Sequence, residues 1–155
     1  MLSKDDYLRM VRDAPLVSLD LVVRDPRGLV LIGLRQNRPA QASWFVPGGV
    51  VRKDETLDRA FRRIAVAEIG SSLERADARL LGVYEHLYPD NFADEPGFGT
   101  HYIVLAHLIV LAERPQQLPT DQHRAYRWVS AQELASDPAI HPYTRTYAEG
   151  LKSAA

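Results

Sequence analysis

The segment WFVPGGVVRKDETLDRAFRRIAVAEIG, residues 44–70, constrains the fold more than any other part of this chain. A Pro-Gly-Gly turn precedes a basic loop and then a long helix-forming run. Asp54 is expected to cap that helix, Glu55 suits its positive end, and Gly70 is the expected stop. Leu57, Phe61 and Ile64 follow the spacing i, i+4, i+7 and form one apolar stripe. Glu68 stands eleven residues after Leu57, close to a whole number of turns, so it falls on the same stripe. A carboxylate aimed at a core is costly unless it is partnered. Three readings are open: Glu68 emerges at the helix end, it pairs with an arginine, or it binds a cation. Glycines before the helix let backbone groups approach an ion or a phosphate closely. A glycine carbonyl plus a carboxylate is an oxygen donor set suited to magnesium.

The remaining elements predict an α+β fold. SKDDYLRMVRDAP reads as a short helix capped by Ser3 and stopped by Pro15. LVSLDLVVRD and LVLIGLRQ, joined by PRG, read as a hairpin. WFVPGG is expected to be a short strand running into a turn. ARLLGVYEHLYP, THYIVLAHLIVLA and AYRWVS are expected strands, AQELAS begins a helix, and the tail HPYTRTYAEGLKSA is expected to be helical. The polar stretch DNFADEPGFG between two strands is placed to cover a site. Strands joined by short turns, with few helices, imply a mixed sheet between helices. The length of 155 residues fits one domain spanning 1–155.

Composition narrows the function classes. A net charge of −1 supplies no overall basic field for nucleic acid. The absence of cysteine excludes disulfides and thiolate metal sites. The charged N-terminus lacks the apolar stretch of a signal peptide, and no run approaches the ~20 apolar residues of a membrane span. The expectation is a soluble, cytoplasmic protein with neither nucleic acid nor membrane as partner.

The segment from Gly49 resembles the Nudix box, G-x(5)-E-x(7)-R-E-U-x-E-E-x-G-U, where U is apolar. Gly49, Glu55, Arg63, Glu68 and Gly70 match at the required spacing; Ile64 and Ala67 replace two glutamates, and Ser71 an apolar residue. The resemblance implies the Nudix fold, an α/β/α sandwich around a mixed β-sheet. The missing acids argue against a multi-metal cluster for pyrophosphate cleavage and fit a single Mg2+.

The altered box is similar to that of the GDP-mannose mannosyl hydrolase subfamily, as are PLVSLDLVV, RPAQASWFVPGG, KDETL, AEIG, DNF, THYIVL and DQH..YRW. This resemblance implies Mg2+-dependent hydrolysis of a nucleotide sugar, GDP-mannose or GDP-glucose. Cleavage is at the anomeric carbon with inversion, and the enzyme is expected to be a homodimer. It implies metal ligation by the Gly48 carbonyl, Glu68 and Gln122, and a general base at His123. It places Arg35 and Tyr102 on the leaving diphosphate, Asp20 on the sugar and Arg63 as the box arginine. For Arg63, an ion pair with Glu55 is the structural alternative; for Tyr102 it is core packing, for Asp20 a strand-edge charge and for Gln122 a solvated loop amide. The subfamily carries an arginine where this chain has Val50; Arg52, two residues on, either reaches the same phosphates or is a surface charge. Of the other histidines, His107 and His141 are expected to be structural, and His86 and His101 are reserve contacts to sugar or phosphate. Two alternatives stand beside this reading: a conventional Nudix pyrophosphohydrolase cleaving P–O, and a nucleotide-sugar binding module with little turnover.

Overall fold

A computed structural model describes residues 2–121 and 123–153. Helix α1 (Lys4–Asp13) is capped by Ser3, whose side chain accepts from the Asp6 amide. Seven strands form the sheet: β1 (Leu16–Arg24), β2 (Val30–Arg35), β3 (Trp44–Phe45), β4 (Gly48–Val50), β5 (Arg79–Tyr88), β6 (Thr100–Val110) and β7 (His123–Val129). The main path runs β3-β2-β1-β6-β5, with β4 on β1 and β7 on β2. β1 lies parallel to β6 along its whole length, from Leu16 opposite Tyr102 to Arg24 opposite Val110. Its other side is divided. Ser18 to Asp20 pair antiparallel with β4, and Arg24 pairs with Val30 of β2. The sheet therefore opens between β4 and the body of β2, and this opening feeds the cleft described below.

β1 is buried on both faces, and its alternation decides which layer each side chain meets. Leu19, Leu21 and Val23 pack with Phe61, Ile64 and Ala65 of α2 (Leu57–Ile69). Val22 joins Ala106, Leu134, Ile140, Tyr147 and Leu151 on the opposite face. That second layer is built by α3 (Ala131–Ser136), α4 (Pro142–Arg145) and α5 (Tyr147–Ser153). The α/β/α sandwich expected from the sequence is present.

Two local expectations need correction. Thr56, not Asp54, caps α2: its hydroxyl accepts from the Arg59 amide, and Asp54 sits at φ 63° in the preceding turn. The helix begins two residues late because Glu55 is held in the turn by Arg63 and by the Arg52 amide. The Pro-Gly-Gly segment is also more than a turn, since Gly48–Val50 is a strand on β1. The C-terminal stop is where expected, with Gly70 left-handed at φ 75°. Among the described residues no helix is long and apolar enough to cross a membrane.

Candidate active site

A cleft of about 1310 Å³ opens where β1 parts from β2. β4 and the C-terminal half of α2 supply one wall; α1 and the 89–99 loop supply another. Glu68, on the last turn of α2, lines it and is only 7 % exposed. Its protein partner is neither solvent nor an arginine: Oε2 lies 3.3 Å from His123 Nε2. Ile64 and Ala67 line the cleft beside it, so this face of the helix presents a single carboxylate. Among the described residues no group of three or more His, Asp or Glu is placed to hold a metal ion.

Gly48 forms the facing edge. A Cβ there would collide with Asp20 Oδ1 and come within 2.7 Å of the Leu19 carbonyl oxygen, so only glycine lets β4 lie this close to β1. Glu68 and the Gly48 backbone are hard oxygen donors of the kind a magnesium ion takes. As donors they suit a single divalent cation rather than a cluster.

Arg63 makes the ion pair with Glu55 that was its structural alternative. Arg63 Nε and Nη2 donate to Glu55 at 2.7 and 2.9 Å, and Nη2 also donates to the Val50 carbonyl at 2.8 Å. The guanidinium borders the cleft, and these contacts hold the turn before α2. The hydrogen bonds from Arg63 lower the Glu55 carboxyl to about 2. Replacing Glu55 with glutamine is expected to cost about 2 kcal/mol, the scale of a charge-assisted hydrogen bond; urea unfolding measures it. Arg52, exposed on the same turn, lines the cleft with Lys53.

The floor is acidic and aromatic. Asp20, expected as a sugar contact or a strand-edge charge, is buried in mid-sheet. Tyr147 Oη donates to its Oδ2. Burial raises the Asp20 carboxyl to about 7, against the opposing effects of Tyr147 and the Arg35 charge. His86, also buried, stacks on Tyr143 at 4.2 Å and is lowered to about 4 by burial and by His141.

These shifts act oppositely on stability. Asp20 favours the folded state fully below its ordinary 3.8, and the advantage is lost as pH rises through about 7. His86 favours it above 6.5, and that advantage is lost as pH falls through about 4. Between these limits the slopes oppose. Asp20→Asn is expected to leave the His86 slope exposed, so that Tm climbs more steeply from pH 4 to 6.5 than in the parent. Melting curves across that range test this.

Arg35, at the end of β2, lines the cleft, with its Nε on the Pro39 carbonyl at 3.1 Å; Tyr102 of β6 lines it too. Of the expected site residues, Asp20, Arg35, Gly48, Arg52, Arg63, Glu68 and Tyr102 meet here. His123 does not border the opening. It is 1 % exposed, stands behind Glu68, and begins β7 rather than lying in a loop. Its ring lies over Gly33, where a Cβ would collide with the imidazole. Gln122 lies outside the described residues. His101 is bound to Glu85 and is not in the cleft lining. His107 Nδ1 donates to the Leu105 carbonyl at 3.0 Å and the ring packs on Phe61, and His141 caps α4; both have structural contacts. Tyr147 and Tyr88 were not expected at the site. Only the tertiary contact with a strand 127 residues away gives Tyr147 its role.

The family profile of the NUDIX domain matches residues 14–149. The chain belongs to the Nudix hydrolase family. Among its relatives, the low-salt glycan biosynthesis protein Agl8 of Haloferax volcanii is 36 % identical over 148 residues, covering 95 % of this chain and 88 % of that protein. The MutT NUDIX hydrolase of Burkholderia pseudomallei superposes with a TM-score of 0.70 at 27 % identity, covering 89 % of this Nudix chain and 98 % of the other. The NUDIX domain of Shewanella oneidensis NrtR, solved with ADP ribose, has a TM-score of 0.68 at 17 % identity and covers 99 % of each chain. At that identity the likeness concerns the fold alone.

Proposed function

We propose that this Nudix protein hydrolyses a GDP-hexose, GDP-mannose or GDP-glucose, at the anomeric carbon, releasing GDP and the free sugar with inversion. The observation that carries the reading is the cleft face of α2: one carboxylate, Glu68, flanked by Ile64 and Ala67. Attack on phosphorus within a metal cluster needs several acids there; departure of a diphosphate from carbon needs far less. The glycan-biosynthesis role in the name of the Agl8 relative also favours a nucleotide sugar.

Glu68, the Gly48 carbonyl and Gln122 are assigned to hold Mg2+. When bound, the ion supplies positive charge to a diphosphate that gains negative charge as it leaves. Arg35 and Tyr102 orient the same phosphates, with Arg52 at the rim, and Asp20 accepts from a sugar hydroxyl. Water adds its oxygen to the anomeric carbon as the carbon–oxygen bond to the β-phosphate breaks. The diphosphate takes the electron pair, and His123 takes the water's proton. A second reading gives that proton to Asp20, because Asp20 borders the cleft, its carboxyl is raised to about 7, and His123 stands behind Glu68.

Hydrolysis in 18O-water tests the reaction. Label in the sugar, with unlabelled GDP, is the expected result. Label in phosphate, with GMP and sugar phosphate as products, would return the protein to ordinary pyrophosphohydrolase chemistry. Tight binding with no product would make it a binding module.

A further inference from the structure

Two residues of the cleft floor are backed by tyrosines from the C-terminal helices. Tyr147 of α5 donates to Asp20, and Tyr143 of α4 stands against His86. His86 is 3 % exposed and lines the cleft; its Nε2 is buried with no hydrogen-bond partner among the described residues. Such an atom is costly to bury unless a ligand partners it. The Tyr143 ring stacks on the imidazole, with centroids 4.2 Å and planes 4° apart. Its hydroxyl closes on the next residue of β5. It accepts from the Leu87 amide at 3.0 Å and donates to the Leu87 carbonyl at 2.8 Å. One side chain therefore fixes both the plane of the His86 ring and the backbone that carries it. Tyr143 is itself held: Tyr88 meets its ring edge-on at 5.4 Å, and its amide donates to His141 Nδ1 at 3.1 Å.

We propose that Tyr143 is a positioning residue for the reaction: acting through His86, it aims the buried Nε2 at a hydroxyl of the bound hexose. The proposal rests on the nucleotide-sugar reading above. A neutral imidazole offers Nε2 as a donor or as an acceptor, and a hydroxyl answers either role. Phosphate oxygens call for a cation, whereas His86, lowered to about 4 by burial and by His141, is neutral at neutral pH. Asp20, assigned to the sugar, stands close by, because Tyr147 reaches both: it donates to Asp20, and its ring lies 6.2 Å from that of His86. A purely structural role competes with this one. β5 ends the main path of the sheet, and capping Leu87 covers part of an open edge.

A double-mutant cycle of Tyr143→Leu and His86→Phe separates the two roles. Its readouts are kcat/KM for the GDP-hexose and GDP affinity by titration calorimetry, both with Mg2+. Phenylalanine at His86 keeps the stack and removes the nitrogens; leucine at Tyr143 removes the stack and the grip on Leu87. Each single variant is expected to lower kcat/KM roughly 3- to 10-fold, the scale of one neutral hydrogen bond, and to leave the affinity for sugar-free GDP unchanged. In the His86→Phe background, Tyr143→Leu should lower kcat/KM no further. Tyr143→Phe keeps the stack and loses only the grip on Leu87, so it should fall between the parent and Tyr143→Leu. It takes the place of the leucine variant in the cycle if that variant does not melt cooperatively. Equal losses in both backgrounds, a matching loss of GDP affinity, or a lowered Tm with parental kcat/KM would each reduce Tyr143 to an edge cap and overturn the proposal. An unaffected His86→Phe, with GDP and free sugar still the products, would overturn it too and leave the reaction assignment standing. If GMP and sugar phosphate are the products, the reaction assignment fails, and the cycle measured on that turnover still decides the role of Tyr143. If the GDP-hexose binds without turnover, its affinity relative to GDP decides it in the same way. If the folded parent binds no GDP-hexose, both assignments fail.

Discussion

Replacing His123 with glutamine is expected to lower kcat by roughly 100- to 10,000-fold, the range that follows loss of a general base, while GDP affinity stays near that of the parent. Glutamine is of similar reach, and its amide can still donate to Glu68, so the contact at the cleft floor survives in kind. What is lost is the imidazole nitrogen assigned to take the water's proton. The position is buried and has Gly33 beneath the ring, so the variant must be shown to keep its cooperative melt before kcat is compared. Asp20→Asn is the companion measurement. If His123→Gln is near normal in rate and Asp20→Asn carries the deficit, the proton goes to the carboxylate. The burial of His123 behind Glu68, away from the opening, is what makes this pair of measurements decisive.

Glu68→Gln should move the magnesium concentration for half-activation upward by at least ~10- to 100-fold, the range seen even for groups that only support a metal ligand. An amide keeps the shape but brings no negative charge to a cation that prefers hard anionic oxygen. With Ile64 and Ala67 on either side, α2 has no neighbouring carboxylate to take over. This separates the protein from a cluster-bearing site, where loss of one acid is partly covered by others. Unchanged magnesium dependence in the variant would place the ion elsewhere and remove the basis for reading the helix face as a one-metal site.

Much of this was legible in the chain. The helix ending at Gly70 and the apolar stripe carrying Glu68 follow from spacing, because a 3.6-residue period fixes which side chains face inward; the α/β/α layering is what the resemblance to the Nudix fold implied. The box spacing brought Glu55 and Arg63 into consideration together. Its local chemistry was harder to read. Asp54 and Thr56 are both acceptable caps, and the choice fell to Thr56 because the bidentate grip of Arg63 on Glu55 keeps the preceding residues in a turn. Asp20 could equally have been an edge charge; pairing of β1 with β6 on one side and β4 on the other put it in mid-sheet.

Helical spacing alone put one carboxylate, Glu68, on the apolar stripe of α2 after a glycine pair read as a turn; whether it emerged, met an arginine or bound a cation stayed open. What that carboxylate and its neighbours meet was fixed by the packing of distant segments. His123 was brought behind Glu68 by the pairing of β7 with β2 over a bare Gly33, and Tyr147 was brought to Asp20 by the packing of α5 on the far layer. Such contacts depend on how layers close over distances that no local periodicity encodes. The same closure buries Asp20, and that burial, against the opposing hydrogen bond from Tyr147, raises its carboxyl to about 7.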